Sequence, residues 1–214
     1  MRRPGAASLT EPGRAGVLRA VAGPSAYTMD PVKGSRFVAT VAPVSTESDA
    51  LAVVDDVRAT WPDASHHCWA FRLVGGRARA SDDGEPGGSA GRPILARIEG
   101  QQLEGVVVVV TRWFGGTKLG VGGLMRAYGG CAGKALDVAE IVEHARTRAL
   151  SLIHDYNDTA AVLAVFAAHA LSPEDTTYDA RVRVQVLVPE DDGDAVVTAL
   201  NNATSGRATA RWLD

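Results

Sequence analysis

This chain of 214 residues has few cysteines, no long apolar run and no large excess of one charge. Its two cysteines, Cys68 and Cys131, leave no disulfide framework and indicate reduced thiols, which predicts a cytoplasmic location. No apolar run approaches the roughly 18 residues that a membrane helix needs, so no membrane partner is expected. The net charge of −3 gives no general attraction for polyanions, so nucleic-acid binding would need a local basic patch.

Recognisable catalytic and metal-binding motifs are also lacking. Neither a GxSxG nucleophile motif nor a Walker lysine loop occurs in the sequence. Residues His66, His67 and Cys68 suggest metal ligands, but neighbouring residues on a strand point to opposite faces. The remaining pair, His66 and Cys68, is half a zinc site with no CxxC or HxxxH partner. We therefore assign no metal ligand and no catalytic residue, and a non-enzymatic protein is the favoured hypothesis.

The most distinctive segment is 105–133, GVVVVVTRWFGGTKLGVGGLMRAYGGCAG. Five consecutive valines, Val106 to Val110, predict a strand that is buried on both faces. A glycine loop follows, and a second glycine pair opens a predicted helix, so backbone N–H groups can face an anion there. The predicted ligand-binding or nucleic-acid-binding residues are Arg112, Gly115, Gly116, Lys118, Gly120, Gly122, Gly123 and Arg126, together with His66 from an earlier strand.

A second distinctive segment is the acidic loop, residues 81–93, SDDGEPGGSAGRP. Its carboxylates at Asp82, Asp83 and Glu85 repel one another unless a cation, an arginine or N–H donors compensate them. They could hold Mg²⁺ beside a phosphate, since a hard cation prefers oxygen ligands. Alternatively they form an acidic turn that satisfies the N–H groups and the dipole of a helix N-terminus. In either case we expect the acidic loop to lie beside the cations of the glycine loop.

Glycines also recur inside the predicted helix that follows the glycine loop. Each costs about 1 kcal/mol of helix stability relative to alanine, which a helix tolerates where something approaches its backbone closely. Two candidates stay open for that neighbour: the sheet itself, or a ligand such as an RNA backbone. The helical glycines are Gly122, Gly123, Gly129, Gly130 and Gly133.

The order of predicted elements divides the chain into three parts. Residues 1–26 are rich in proline and glycine without periodicity, which predicts a disordered basic tail. Residues 27–141 form a predicted N-terminal domain that contains both distinctive segments. Residues 142–214 follow the order strand, helix, strand, strand, helix, strand, which is the ferredoxin-like plan. The fold class is therefore α+β with two domains that meet near Val142.

These segments together resemble the IMPACT family of bacterial YigZ-type proteins. The resemblance runs from about Tyr27 to the C-terminus and leaves the first 26 residues outside it. It is carried by Ser35-Arg36-Phe37, by Ala64-Ser65-His66-His67-Cys68-Trp69-Ala70, by the acidic loop and by VVVTRWFGGTKLGVGGLMRAYG.

The resemblance implies more about fold than about chemistry. It implies an N-terminal domain like the second domain of a small-subunit ribosomal protein, and a C-terminal domain like the last domain of elongation factor G. Eukaryotic relatives regulate translation, which implies a stress-response or translation-associated regulator that binds RNA, the ribosome or a translation factor. The alternative is an Mg²⁺-dependent enzyme or binding protein for a small phosphorylated metabolite or nucleotide. The cofactor and the oligomeric state stay unassigned.

Overall fold

The computed structural model describes residues 16–213, and these divide into two compact units. One unit comprises residues 18–144, and the other holds the remaining described residues, 16–17 and 145–213. Residues 1–15 of the predicted tail lie outside the described residues. Within the described part of the chain, no helix is both long and apolar enough to cross a membrane.

The first unit is built on a five-stranded antiparallel sheet with the order β2-β3-β6-β4-β5. A separate two-stranded sheet pairs β1 with β7. The strands are β1 (Val17–Val21), β2 (Ser25–Val32), β3 (Ser35–Pro43), β4 (His66–Arg72), β5 (Ala78–Ser81), β6 (Val106–Trp113) and β7 (Ile141–Ala145), and the helices are α1 (Glu47–Thr60), α2 (Gly91–Gly100) and α3 (Val121–Val138).

The valine strand β6 occupies the middle of this sheet and is buried on both faces, as predicted. Val106, Val108 and Val110 belong to the core cluster that includes residues of α2 and α3. Val107 and Val109 belong to a second cluster that includes residues of α1. Because both faces are covered by helices, every valine is fully buried and the strand needs no polar alternation.

The start of the chain is more ordered than the predicted tail. Residues 17–21 form β1, and β2 begins at Ser25, so the prediction of a tail as far as residue 26 is wrong over this stretch. Val21 is 3% exposed and belongs to the core of the first unit. The Ala22 N–H donates to the Glu140 carbonyl at 2.9 Å, which joins this segment to the residue before β7.

Two glycines of α3 face α2. A Cβ at Gly129 would lie 3.4 Å from the Pro93 Cβ, and one at Gly133 would lie 3.4 Å from the Arg97 Cδ. These two glycines therefore permit close packing of two helices, and their neighbour is neither of the two candidates, the sheet or a ligand. A Cβ at Gly130 would have no neighbour within 4 Å, so packing does not explain that glycine.

The second unit confirms the ferredoxin-like plan. Its antiparallel sheet has the order β11-β8-β10-β9, and the buried side of β10 packs with residues of both helices. The strict alternation of β10, with every second residue buried, is the pattern of a sheet covered on one face. The elements are β8 (Thr147–His154), α4 (Thr159–Ala168), β9 (Pro173–Tyr178), β10 (Val182–Pro189), α5 (Gly193–Ala203) and β11 (Thr209–Trp212).

Candidate functional site

The acidic loop is held in place by the carboxylate of Asp82. Its oxygens accept the backbone N–H groups of Gly88 at 2.7 Å and of Ala90 and Gly91 at 2.8 Å. Ala90 is the N-cap of α2 and has no side chain that could cap the helix. Asp82, which precedes it in the acidic loop, accepts the N–H groups of the helix N-terminus instead. Burial opposes ionisation, but the Gly88, Gly91 and Ala90 N–H groups outweigh it and lower the pKa of Asp82. The acidic-turn interpretation is confirmed for this carboxylate.

Asp83 ties the same loop to β4 and α1. One carboxylate oxygen accepts the His67 N–H at 2.6 Å, and the other lies 2.7 Å from Nη2 of Arg58. Its backbone has a φ of 42°, in the left-handed region that non-glycine residues seldom adopt. Aspartate is among the residues that tolerate this region, so the turn accommodates the carboxylate without glycine.

Glu85 lies in the interior, in a group that we call the buried polar cluster: Glu85, Arg112, Tyr128 and Ser35. Glu85 Oε1 accepts hydrogen bonds from Arg112 Nη1 and from the Tyr128 hydroxyl, each at 2.6 Å. The Glu85 and Arg112 side chains are only 4% and 5% exposed. Arg112 Nη2 donates to Ser35 Oγ at 3.2 Å. An ion pair so well removed from water is stable only while both partners are present.

His66 and Cys68 border this cluster without forming a reactive pair. His66 Nδ1 lies 2.8 Å from the Asp83 carbonyl, and its Nε2 lies 3.9 Å from Glu85 Oε1. The Cys68 thiol donates to the Asp82 carbonyl at 3.1 Å, and burial raises its pKa to about 12. Cys68 is therefore a neutral thiol. Among residues 16–213, no group of three or more histidine, cysteine, aspartate or glutamate side chains could hold a metal ion.

The glycine loop between β6 and α3 is tightly packed at Gly115 and has free space at Gly116 and Gly120. Gly115 packs directly on Gly34, since a Cβ there would lie 1.9 Å from the Gly34 carbonyl carbon. Gly120 is the N-cap of α3 and has a φ of 71°. As a glycine it has no side chain that could cap the helix. An added Cβ at Gly116 or Gly120 would meet nothing within 4 Å. The N–H groups in the first turn of α3 therefore have no side-chain cap at Gly120.

Exposed side chains of two kinds surround this loop, and we call them the glycine-loop face: Phe114, Lys118, Val121, Met125 and Arg126. The three apolar members are 46% to 53% exposed. Lys118 and Arg126 are exposed, and neither makes a hydrogen bond or ion pair within the described residues. Arg126 lies over Gly122, where an added Cβ would be 3.8 Å from its Nη1.

The structure separates the predicted basic residues into two groups. The acidic loop does lie beside a glycine-loop cation, because Glu85 contacts Arg112 directly. However, Arg112 is buried, and its two terminal nitrogens donate hydrogen bonds to Glu85 and Ser35. It is therefore not available to a phosphate. Lys118 and Arg126 do not pair with the acidic loop. Sequence alone could not distinguish these roles, because the partners of Arg112 are 27 and 77 residues away.

Sequence reasoning gave Phe114 and Tyr128 no functional role, although both belong to segments that it singled out. Tyr128 belongs to the buried core of the first unit, and its hydroxyl donates to Glu85, a contact that no local sequence pattern indicates. Phe114 follows the buried strand directly and precedes two glycines. Its position at the end of a buried strand, before two glycines, was the signal in the sequence that its aromatic ring is exposed.

Two α+β units, the second with ferredoxin-like strand order, define the class of protein. The family described as the Impact N-terminal domain matches residues 33–136, and the domain of unknown function DUF1949 matches residues 152–207. An IMPACT family member of Thermus thermophilus is 39% identical over 184 residues, which cover 86% of this chain and 99% of the relative. The chain therefore belongs to the IMPACT family.

Other similarities cover between 42% and 92% of the chain. A crystal structure of a hypothetical protein is 30% identical and covers 92% of this chain and 98% of its own, with a TM-score of 0.72. The Escherichia coli family member YigZ is 42% identical over 113 residues, 50% of this chain and 55% of YigZ. The protein IMPACT homolog of Saccharomyces cerevisiae is 35% identical over 42% of this chain and 38% of its own length.

Proposed function

We propose that the glycine-loop face binds RNA, and that the protein is a non-enzymatic regulator associated with translation. The observation that carries this proposal is that Lys118 and Arg126 are exposed beside the N-terminus of α3 with no acidic partner among the described residues. Helix N-termini and basic side chains are the groups that contact phosphates. A local patch of this kind is compatible with a net charge of −3.

The electrostatics of the unit support this assignment. The acidic loop lies close to the glycine loop in the fold, but its carboxylates are compensated by Arg58, Arg112 and backbone N–H groups. They therefore do little to neutralise the charge of Lys118 and Arg126. A phosphate that approaches the glycine loop meets two cations and the positive end of an 18-residue helix.

The Mg²⁺-dependent enzyme has less support from the geometry. Metal binding at the acidic loop would require carboxylate oxygens that face an open cleft. Instead, Asp82 caps α2, Asp83 pairs with Arg58, and Glu85 is buried against Arg112 and Tyr128. Burial also raises the pKa of the Tyr128 hydroxyl, which leaves it a hydrogen-bond donor rather than a base.

Membership of the IMPACT family supports the association with translation. The family includes proteins named IMPACT homolog in Saccharomyces cerevisiae and Dictyostelium discoideum, so its members extend to eukaryotes. We propose that the RNA belongs to the ribosome or to a complex with a translation factor in the cytoplasm. The glycine-loop face would then supply a sequence-independent contact, because phosphate contacts alone do not distinguish bases.

The experiment is a salt titration of RNA binding by the whole chain and three variants. Lys118→Ala and Arg126→Ala should each weaken binding roughly fourfold near physiological salt, equally for different RNA sequences. Each should also reduce the slope of log K against log salt by about 0.7, because one phosphate contact is lost. Lys134→Ala is the matched control, since it removes an exposed lysine more than two turns further along α3.

Two results would contradict the proposal. One is the absence of binding by the unmodified protein at about 50 mM salt, where phosphate contacts are strongest. The other is a slope for Lys118→Ala and Arg126→Ala that equals the slope for Lys134→Ala. That outcome would mean that any RNA contact uses another surface of the protein.

A further inference from the structure

The end of β6 carries two consecutive aromatic residues, Trp113 and Phe114, which contact opposite sides of the sheet. Trp113 contacts Trp61, the residue that ends α1, edge to face at 5.4 Å, and its Nε1 donates to Asp63 at 2.9 Å. The guanidinium of Arg36 lies over the Trp113 ring at 4.7 Å. This stack lies on the side of the sheet that α1 covers, so it is not part of the glycine-loop face.

Phe114, the next residue, contacts the other side of the sheet and belongs to the glycine-loop face. Its side chain is 49% exposed, so much of the ring contributes nothing to the core. The guanidinium of Arg112 lies 5.5 Å from the ring centroid, and Glu85 holds that guanidinium in place. The Phe114 N–H donates to Ser65 Oγ at 3.0 Å, which fixes the backbone at the strand end. The ring is therefore supported by an immobile charged group rather than by flexible side chains.

The combination of an exposed aromatic ring and unpaired cations selects one kind of ligand. In a duplex the base faces are stacked on one another and only edges and phosphates are accessible. In a single strand the faces are accessible, and proteins bind them on aromatic side chains beside basic residues that contact the backbone. Lys118 follows Phe114 in the glycine loop, and Arg126 lies in the second turn of α3, so exposed basic residues follow Phe114 closely in the chain.

From this we infer that the ligand of the glycine-loop face is single-stranded RNA, with one base stacked on Phe114. This inference rests on the proposed function and adds to it the strandedness of the RNA and the group that holds a base. Lys118 and Arg126 fix the position of the backbone, whereas Phe114 contributes a base contact that salt does not screen. The two contributions are therefore separable by experiment.

The experiment measures binding of one RNA sequence as a single strand and as a duplex. The single strand should bind the whole chain more tightly. Phe114→Leu should weaken single-strand binding by about 5- to 150-fold, which corresponds to the 1–3 kcal/mol of one stacked base. Its salt slope should stay unchanged, because no phosphate contact is lost. Phe114→Tyr retains the ring and should restore binding.

Tyr178→Leu is the matched control, since Tyr178 is an aromatic residue 69% exposed in the second unit. Single-strand binding by Phe114→Leu equal to that of Tyr178→Leu would overturn the inference. Equal affinity of the unmodified protein for single strand and duplex would do the same, while leaving the proposed RNA-binding function intact. If neither RNA binds at low salt, the proposed function itself is wrong and a protein partner replaces RNA as the interpretation.

Discussion

The acidic loop and the glycine loop are built from similar material, yet the fold treats their charges in opposite ways. Both are rich in glycine, and each is followed by a helix. Every carboxylate of the acidic loop has a partner within the first unit. Lys118 and Arg126 have none among the described residues. The density of charges in a sequence therefore does not reveal which of them the fold leaves available.

The largest effect on stability should come from Glu85→Gln. It removes the charge opposite Arg112 and leaves a buried guanidinium without its counter-ion, which costs about 3–5 kcal/mol in comparable buried pairs. Urea unfolding of the first unit should show this loss in the free energy of unfolding. Glu99→Gln, at an exposed position of α2, is the control and should change little. Equal midpoints for the two variants would mean that the buried polar cluster adds no stability.

A smaller effect is expected for Asp82→Asn, because the amide oxygen still accepts some of the backbone hydrogen bonds. We expect a loss of about 1–3 kcal/mol at neutral pH, the range for hydrogen bonds that involve a charged group. The lowered pKa of Asp82 means that its carboxylate contributes stability above the unfolded pKa, near 3.9. That contribution is lost as pH falls through the lower pKa of the folded state.

The measurement for Asp82 is therefore a comparison of unfolding free energies at several pH values. The gap between Asp82→Asn and the unmodified protein should close as the solution is acidified below about pH 4. Asp56→Asn, at an exposed position of α1, provides a control with no comparable pH-dependent gap. A gap that stays constant from neutral to acidic pH would indicate that Asp82 acts through shape and not through charge.

The smallest effect on stability should come from Lys118→Ala and Arg126→Ala. Neither side chain contributes an ion pair within the described residues, so each substitution should stay within about 0.5 kcal/mol of the unmodified protein. Thermal unfolding followed by circular dichroism is sufficient to test this. A loss comparable to that of Asp82→Asn would mean that these cations support the fold, and the contrast between the two loops would disappear.

The sequence predicted elements whose pattern is local and strong. The valine strand is where its five consecutive valines placed it, and the predicted order of strands and helices in the last third of the chain is the observed one. Strand β1 was missed because five residues among glycines and prolines carry too little pattern. Helix α2 begins at Gly91, inside the acidic loop, because its N-terminus is satisfied by Asp82 and not by a neighbouring residue.

For the site, the two distinctive segments were predictable but the role of each charge was not. The sequence placed Arg112 with the ligand-binding residues because it follows the valine strand, and the structure places it inside the unit. Arg112 is buried because it pairs with Glu85 and Ser35, and Glu85 also accepts a hydrogen bond from Tyr128. These residues come from a loop, a strand and a helix, and no local pattern indicates that they meet. Long-range pairing of this kind has no signature in one sequence.

The backbone contact between Gly115 and Gly34 has a consequence for the order in which the molecule acquires its surface. The Gly115 N–H donates to Ser35 Oγ across 80 residues of sequence, so this turn cannot take shape until β3 has paired with β6. Closing so long a loop is among the slow, entropically costly steps of folding. A chain emerging from the ribosome would therefore acquire the glycine-loop face only after β3 and β6 have paired, and incompletely folded chains would not compete for the ligand that we propose.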